Sequence, residues 1–251
     1  MAKAKPKASV FLDMVNLFQY RRREISLEDR MDQYQSNLKM ITGYIQHNFS
    51  PVIKYGYYHF RYYDNDEVSI IEESVESTEN FGFELWENRK DSDPVIVTHC
   101  MDYAWENPEI KNIVLILGDS DYVEMVKSLA RRDYMVTCIY PADAQDLSWE
   151  LRDTVQNFVS VEDIRRLHEV IFDLAVEEKN QKHGCLSHFL TVEIMDRYYD
   201  KKLRPNVLMN WRDEGILIDP EINISIAYKL NRGHPLVSAI LKDKDPLQLF
   251  T

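Results

Sequence analysis

The run Ile113-Val114-Leu115-Ile116-Leu117, followed at once by Gly118-Asp119-Ser120-Asp121, constrains this chain more than any other stretch. An unbroken aliphatic run with no polar alternation is suited to burial on both faces, and this one is too short for a buried helix. A strand of that kind belongs inside a parallel sheet, whose faces are covered by the helical crossovers that parallel pairing requires. Gly118 ends the strand, and Asp119 or Ser120 can cap a helix running to Arg131.

The same alternation recurs on either side. Ala8 to Asp13 is a short buried strand ending on a carboxylate, followed by a polar stretch with Met31, Tyr34, Leu38, Ile41 and Ile45 at helical spacing. Pro51 breaks that stretch, and Val52 to Tyr63 has the Tyr, Phe and β-branched content of a strand. Val68 to Asn80 is expected to be helical, Phe81 to Trp86 a strand, and Glu87 to Asp93 a loop. Pro94 suits the first turn of a helix continuing to Trp105, and Tyr134 to Tyr140 is the next strand. Strands alternating with helices imply an α/β fold with right-handed crossovers. In open sheets of this kind ligands bind beyond the carboxyl ends of the strands. Asp13 and Asp119 both stand at such ends, so they are expected to share one crevice.

Beyond about residue 160 the rhythm changes. Asp163 to Asn180 is predicted to be a helix with Ile164, Leu167, Ile171, Leu174 and Ala175 on one face, a surface that could also serve a homodimer. Leu186 to Asp200 and Leu203 to Asp213 follow as helices, then Ile216 to Ile218 and Ile224 to Leu230 as strands. Two helices and a hairpin are the order of a winged helix-turn-helix. The expected organisation is therefore an α/β domain over 1–160, a connecting helix over 161–182 and a small α+β domain over 183–251.

Charge narrows the partners. The net charge of −12 argues against binding nucleic acid through a broadly basic surface. The imbalance lies in the first domain, where residues 1–160 carry 17 Lys and Arg against 27 Asp and Glu. Cys100, Cys138 and Cys185 are odd in number and have no CxxC spacing, which points to buried thiols rather than a disulfide framework or zinc. No stretch approaches the ~20 apolar residues of a membrane span, and the chain reads as cytoplasmic.

Asp13, Asp93, Asp119 and Asp121 all fall at element ends. Carboxylates brought together raise one another's pKa, and a hard divalent cation removes that cost. Mg²⁺ or Mn²⁺ held by such a cluster can activate water for an in-line phosphoryl displacement. Taken singly, Asp119 and Asp121 could merely cap a helix. His99 reads as a satisfied, partly buried side chain, and Asp91 and Asp102 read as solvated.

Phe11-Leu12-Asp13-Met14-Val15-Asn16-Leu17, Arg89-Lys90-Asp91-Ser92-Asp93 and Val114 to Tyr122 together resemble the NYN domain, a group of the PIN-like ribonucleases. The resemblance covers about residues 8–145. It implies a PIN-like, Rossmannoid parallel sheet flanked by helices and metal-dependent cleavage of RNA. By position it implies Asp13, Asp93, Asp119 and Asp121 as ligands of Mg²⁺ or Mn²⁺, with Asn16 orienting the site or contacting phosphate. Met14 stands where the family usually has Gly, Asp91 and Ser92 replace the small Gly before the third carboxylate, and Leu117 stands where Ser or Thr often precedes the Gly-Asp pair. Lys90, Arg22 and Ser120 are the expected phosphate contacts near the motifs. Arg204 and Arg212 are the expected nucleic-acid contacts of the winged helix, which could otherwise serve a protein partner. The alternative reading is a non-catalytic nucleic-acid-binding regulator built on a degenerate PIN-like domain.

Overall fold

A computed structural model describes residues 4–19, 26–59, 65–89, 91–140, 148–181, 183–199, 201, 204–220 and 227–243. The chain divides into two compact units, Met1–Ile164 and Arg165–Thr251. The first is built on a six-stranded sheet. Its strands are β1 (Lys7–Asp13), β2 (Ser50–Tyr58), β3 (Glu84–Glu87), β4 (Asn112–Ile116), β5 (Met135–Tyr140) and β6 (Asn157–Ser160). They lie in the order β3-β2-β1-β4-β5-β6, and every neighbouring pair is parallel. The parallel α/β sheet expected from the apolar runs is therefore present. The order reverses between β1 and β4, which opens a crevice at the carboxyl ends of those two strands.

The helices are α1 (Met14–Gln19), α2 (Leu27–Asn48), α3 (Asn65–Asn80), α4 (Asp93–Glu106), α5 (Val123–Ala130) and α6 (Trp149–Thr154). Successive residues of β1 and β4 serve opposite faces, as the strand period of two requires. Phe11, Ile113 and Leu115 join a core with Ile96 and Cys100 of α4 and Val126 and Leu129 of α5. Val10, Leu12, Val114 and Ile116 join the other core with Tyr34, Leu38 and Ile41 of α2. Both faces of β1 and β4 are thus dry, which explains their unalternating sequence.

Several details differ from expectation. The polar stretch after Asp13 is two helices, because Ser26 caps a new one through its hydroxyl on the Asp29 amide. β2 stops at Tyr58, while 60–63, the end of the expected strand, lie outside the described residues. β6 was not anticipated: four residues are a weak local signal, and pairing with β5 fixes them in place.

The second unit begins within α7 (Val161–Asn180) and continues through β7 (Leu186–Ser187), α8 (His188–Met195), α9 (Arg204–Asp213), β8 (Leu217–Ile218), β9 (Ala227–Leu230) and α10 (Pro235–Asp243). β7 and β8 pair antiparallel with β9 between them. Leu186 was expected to be helical but belongs to β7, because Ser187 caps α8 through the Leu190 amide and leaves Leu186 free to pair with Tyr228. Its core gathers Ile171, Leu174, Ile194, Leu208, Trp211, Leu230 and Val237. Buried Glu178 accepts from the Leu230 amide at 2.8 Å and from Arg232 at 2.9 Å, fastening α7 to the end of β9. Among the described residues no helix is long and apolar enough to cross a membrane.

Candidate metal centre

Asp13 ends the interior strand β1, in register with Tyr57 of β2, and is only 1% exposed. Its Oδ1 accepts from the amides of Val15 (3.0 Å) and Asn16 (3.2 Å). Its Oδ2 accepts from the Asn16 side-chain amide at 2.5 Å. The Asp-x-x-Asn spacing thus makes Asp13 the cap of α1, satisfying donors that a helix start otherwise leaves open. Asn16 contacts Asp13 directly and holds its orientation.

Asp93 is the first residue of α4, followed by Pro94 in the first turn. Asp119 and Asp121 lie in the turn beyond β4. The Asp119 carboxylate accepts from the Asp121 amide at 3.4 Å and from the Ser120 hydroxyl at 3.2 Å, opening a single 3-10 turn over Ser120–Tyr122. One oxygen from each of Asp93, Asp119 and Asp121 lies within 4.8 Å of the other two. Asp93 is half-buried, and the other two are exposed. Asp13 stands outside this triad, joined to it by a residue absent from the expected set. The Tyr122 hydroxyl sits 2.5 Å from Asp93 Oδ1 and 3.2 Å from Asp13 Oδ2.

Electrostatics follow from this layout. Burial first, then the Asp93 charge, push the Asp13 carboxyl up to about 7 against the pull of the Asn16 amide. Asp93 is raised mainly by partial burial, then by the negative charges of Asp119, Asp121 and Asp91, with the Tyr122 hydrogen bond opposing. The Tyr122 phenol is pushed far up, by burial and then by both carboxylates, so it stays protonated. A phenol has one proton to donate. With Tyr122 donating to Asp93, a protonated Asp13 can complete the chain by donating to the phenol oxygen. Three convergent hard oxygen donors, one of them with its ionisation opposed by the others, fit a hard divalent cation.

The NYN domain matches residues 7–162. The chain belongs to the NYN domain family. Its six-stranded parallel sheet is the PIN-like arrangement, and the family is nuclease-like. A crystal structure of a protein of unknown function from Vibrio parahaemolyticus aligns with a TM-score of 0.46 at 18% identity, covering 65% of this chain and 98% of that one. No curated protein matches the chain.

Within this NYN domain two of the departures from the family pattern are packing choices. Met14 is buried in the core that faces α2, and Leu117 in the core that faces α4 and α5. Ser120 is exposed beside the triad, as are Asp91 and Asp102 on their own elements. His99 is part-buried and bonds the Tyr57 hydroxyl through Nδ1 at 3.2 Å. Arg22 and Lys90, expected to contact phosphate, lie outside the described residues. In the second unit Arg204 is tied to Asp196 at 2.5 Å, while exposed Arg212 lies 3.4 Å from Asp219 and over the Tyr228 ring. Tyr122, which joins Asp93 to Asp13, is the described residue of this site that sequence reasoning missed. A tyrosine directly after the Gly-Asp-Ser-Asp turn was its available signal.

Proposed function

We propose that this protein is a ribonuclease that hydrolyses RNA phosphodiester bonds with Mg²⁺ or Mn²⁺ held by Asp93, Asp119 and Asp121. The observation that carries this reading is the convergence of those three carboxylates at the sheet's switch point. A bound divalent ion supplies charge neutralisation at the scissile phosphate and an acidified water. Asp93 is the half-buried ligand, held in place by Tyr122. Asp13, with a carboxyl near 7, is suited to hold or release a proton at Oδ2 behind the ligands. Asn16 fixes the Asp13 carboxyl through its side-chain amide. The exposed Ser120 hydroxyl, which donates to Asp119, would turn to donate to a phosphate oxygen when one binds.

The second unit is proposed to be a winged helix that binds the target or a partner. Its order of helix, short strand, two helices and hairpin, with β9 between β7 and β8, supports this. A regulator that holds nucleic acid without cutting it is the second reading, and it is favoured by the position of Asp13 outside the triad. Cleavage of end-labelled single-stranded and structured RNA by wild type and Asp119→Asn, in Mn²⁺, Mg²⁺ or EDTA, separates the two. Metal-dependent cleavage lost in the variant is the expected result. Binding without cleavage under any metal would leave the regulator.

A further inference from the structure

Two tryptophans are solvent-exposed near the carboxyl edge of the sheet, on either side of the triad, and nothing in the chemistry so far uses them. Trp86 is 41% exposed on β3, in register with Tyr57, which is itself in register with Asp13. Partners in register point to the same face, so Trp86 stands on the Asp13 side of the sheet, two strands away, or roughly 10 Å at ~4.8 Å per strand. Its ring meets the His99 ring edge-on at 4.8 Å between centroids, and His99 is held by the Tyr57 hydroxyl. The indole is thus anchored while much of it remains open to solvent. Trp149 is 71% exposed and opens α6, which packs on α5 and on the Ser120–Tyr122 turn that carries Asp121.

Exposing two large indoles costs apolar burial that a fold could otherwise use. The rim beside Trp86 is acidic, with Glu84 and Glu87 exposed on the same short strand. A partner held there by phosphate contacts would be repelled, whereas stacking on an indole needs no cationic side chain. We propose that Trp86 and Trp149 are base-stacking platforms for a single-stranded RNA that crosses the carboxyl edge of the sheet with a phosphate at the triad. This inference rests on the ribonuclease reading and adds the side chains that would grip an unpaired RNA, by its bases more than by its backbone. A duplex, whose bases are already stacked, offers neither indole a face.

The test is binding of a fluorescein-labelled oligoadenylate of about ten nucleotides, within the ~4–16 that stacking surfaces cover. It is measured by anisotropy in Ca²⁺ with wild type, Trp86→Ala, Trp149→Ala, their Phe counterparts and Trp105→Ala. Trp105 is exposed at the far end of α4, about 18 Å along the helix from Asp93, and serves as the control. Stacking is worth ~1–3 kcal/mol per base, so each Ala variant should bind between about fivefold and 150-fold more weakly. Phe should recover much of the loss, Trp105→Ala should match wild type, and an abasic oligomer should not distinguish the Ala variants from wild type. Unchanged affinity in both Ala variants, beside wild-type cleavage that needs metal, overturns the platforms and leaves the nuclease standing. Tighter binding of duplex than of single strand also overturns them. Absence of both binding and cleavage in wild type removes the nuclease reading and this inference together.

Discussion

The hydroxyl of Tyr122 lies 2.5 Å from Asp93 and, on its other side, 3.2 Å from Asp13, so one buried phenol joins residues that begin α4 and end β1. Removing that oxygen while keeping the ring isolates its role. Tyr122→Phe should fold normally, because the aromatic volume in the core is unchanged. Asp93 loses the hydrogen bond that favours its charged form, so its carboxyl should rise further. Mn²⁺ affinity at pH 7, measured by titration calorimetry, is expected to fall roughly tenfold, the scale of one charge-assisted hydrogen bond. An affinity equal to wild type at that pH would show that the phenol does not tune the ligand.

Asp13 should make metal-free stability decline with pH. Its folded value of about 7 lies above its ordinary 3.8, so between those values the native state holds more protons than the unfolded chain. Its contribution to stability is full below about pH 4 and is lost as pH rises through about 7. Asp13→Asn keeps a good cap for α1 and removes the ionisation. The variant is expected to be more stable than wild type at pH 8.5, by up to ~4 kcal/mol at ~1.36 kcal/mol per unit, with the gap narrowing to roughly 1.6 kcal/mol at pH 5 and closing below about pH 4. A variant that loses as much stability at pH 8.5 as at pH 5 would contradict this account.

Gly118 is required by closeness. A Cβ there would meet the Tyr140 ring at 1.7 Å, at the point where β4 hands over to Asp119. Gly118→Ala is expected to cost ~1–3 kcal/mol in urea unfolding and to weaken metal binding by shifting the turn. Gly118→Ala combined with Tyr140→Ala should be less destabilised than the two single costs added together.

The thiols should be silent in the native protein. Cys100 and Cys138 are fully buried, with Cys138 pushed up to about 12 by burial and Cys100 also raised, and Cys185 is buried in the second unit. A chromogenic disulfide reagent at pH 8 is expected to label them only as fast as the protein opens, and to release three equivalents in denaturant. Rapid native labelling would contradict the packing around β4 and β5.

Much of this architecture was legible because parallel strands advertise themselves. Ile113 to Leu117 could only be an interior strand, and Pro94 after Asp93 marked the start of α4. The carboxylates were legible as residues at element ends, where a doubly wound sheet collects them. The division among them was not. Asp13 and Tyr122 are 109 residues apart, and no local pattern records that their side chains meet. The Asp-x-x-Asn spacing had two meanings, helix cap and metal motif, and only the fold shows the first. Short strands such as β6 and β7 exist through their partners, so their sequences carry little of the signal.

The position of β1 also bears on synthesis. Its Ala8 to Leu12 stretch pairs with β2 on one side, but its other edge waits for Asn112 to Ile116. At ~5–20 residues per second, a nascent chain carries that apolar edge open for about 5–20 s before β4 emerges. Closure then requires contacts across roughly a hundred residues, which places folding among the slower topologies. The strand that supplies Asp13 is therefore the part of the chain most exposed to misassembly during synthesis, and growth temperature should affect soluble yield before it affects the folded protein.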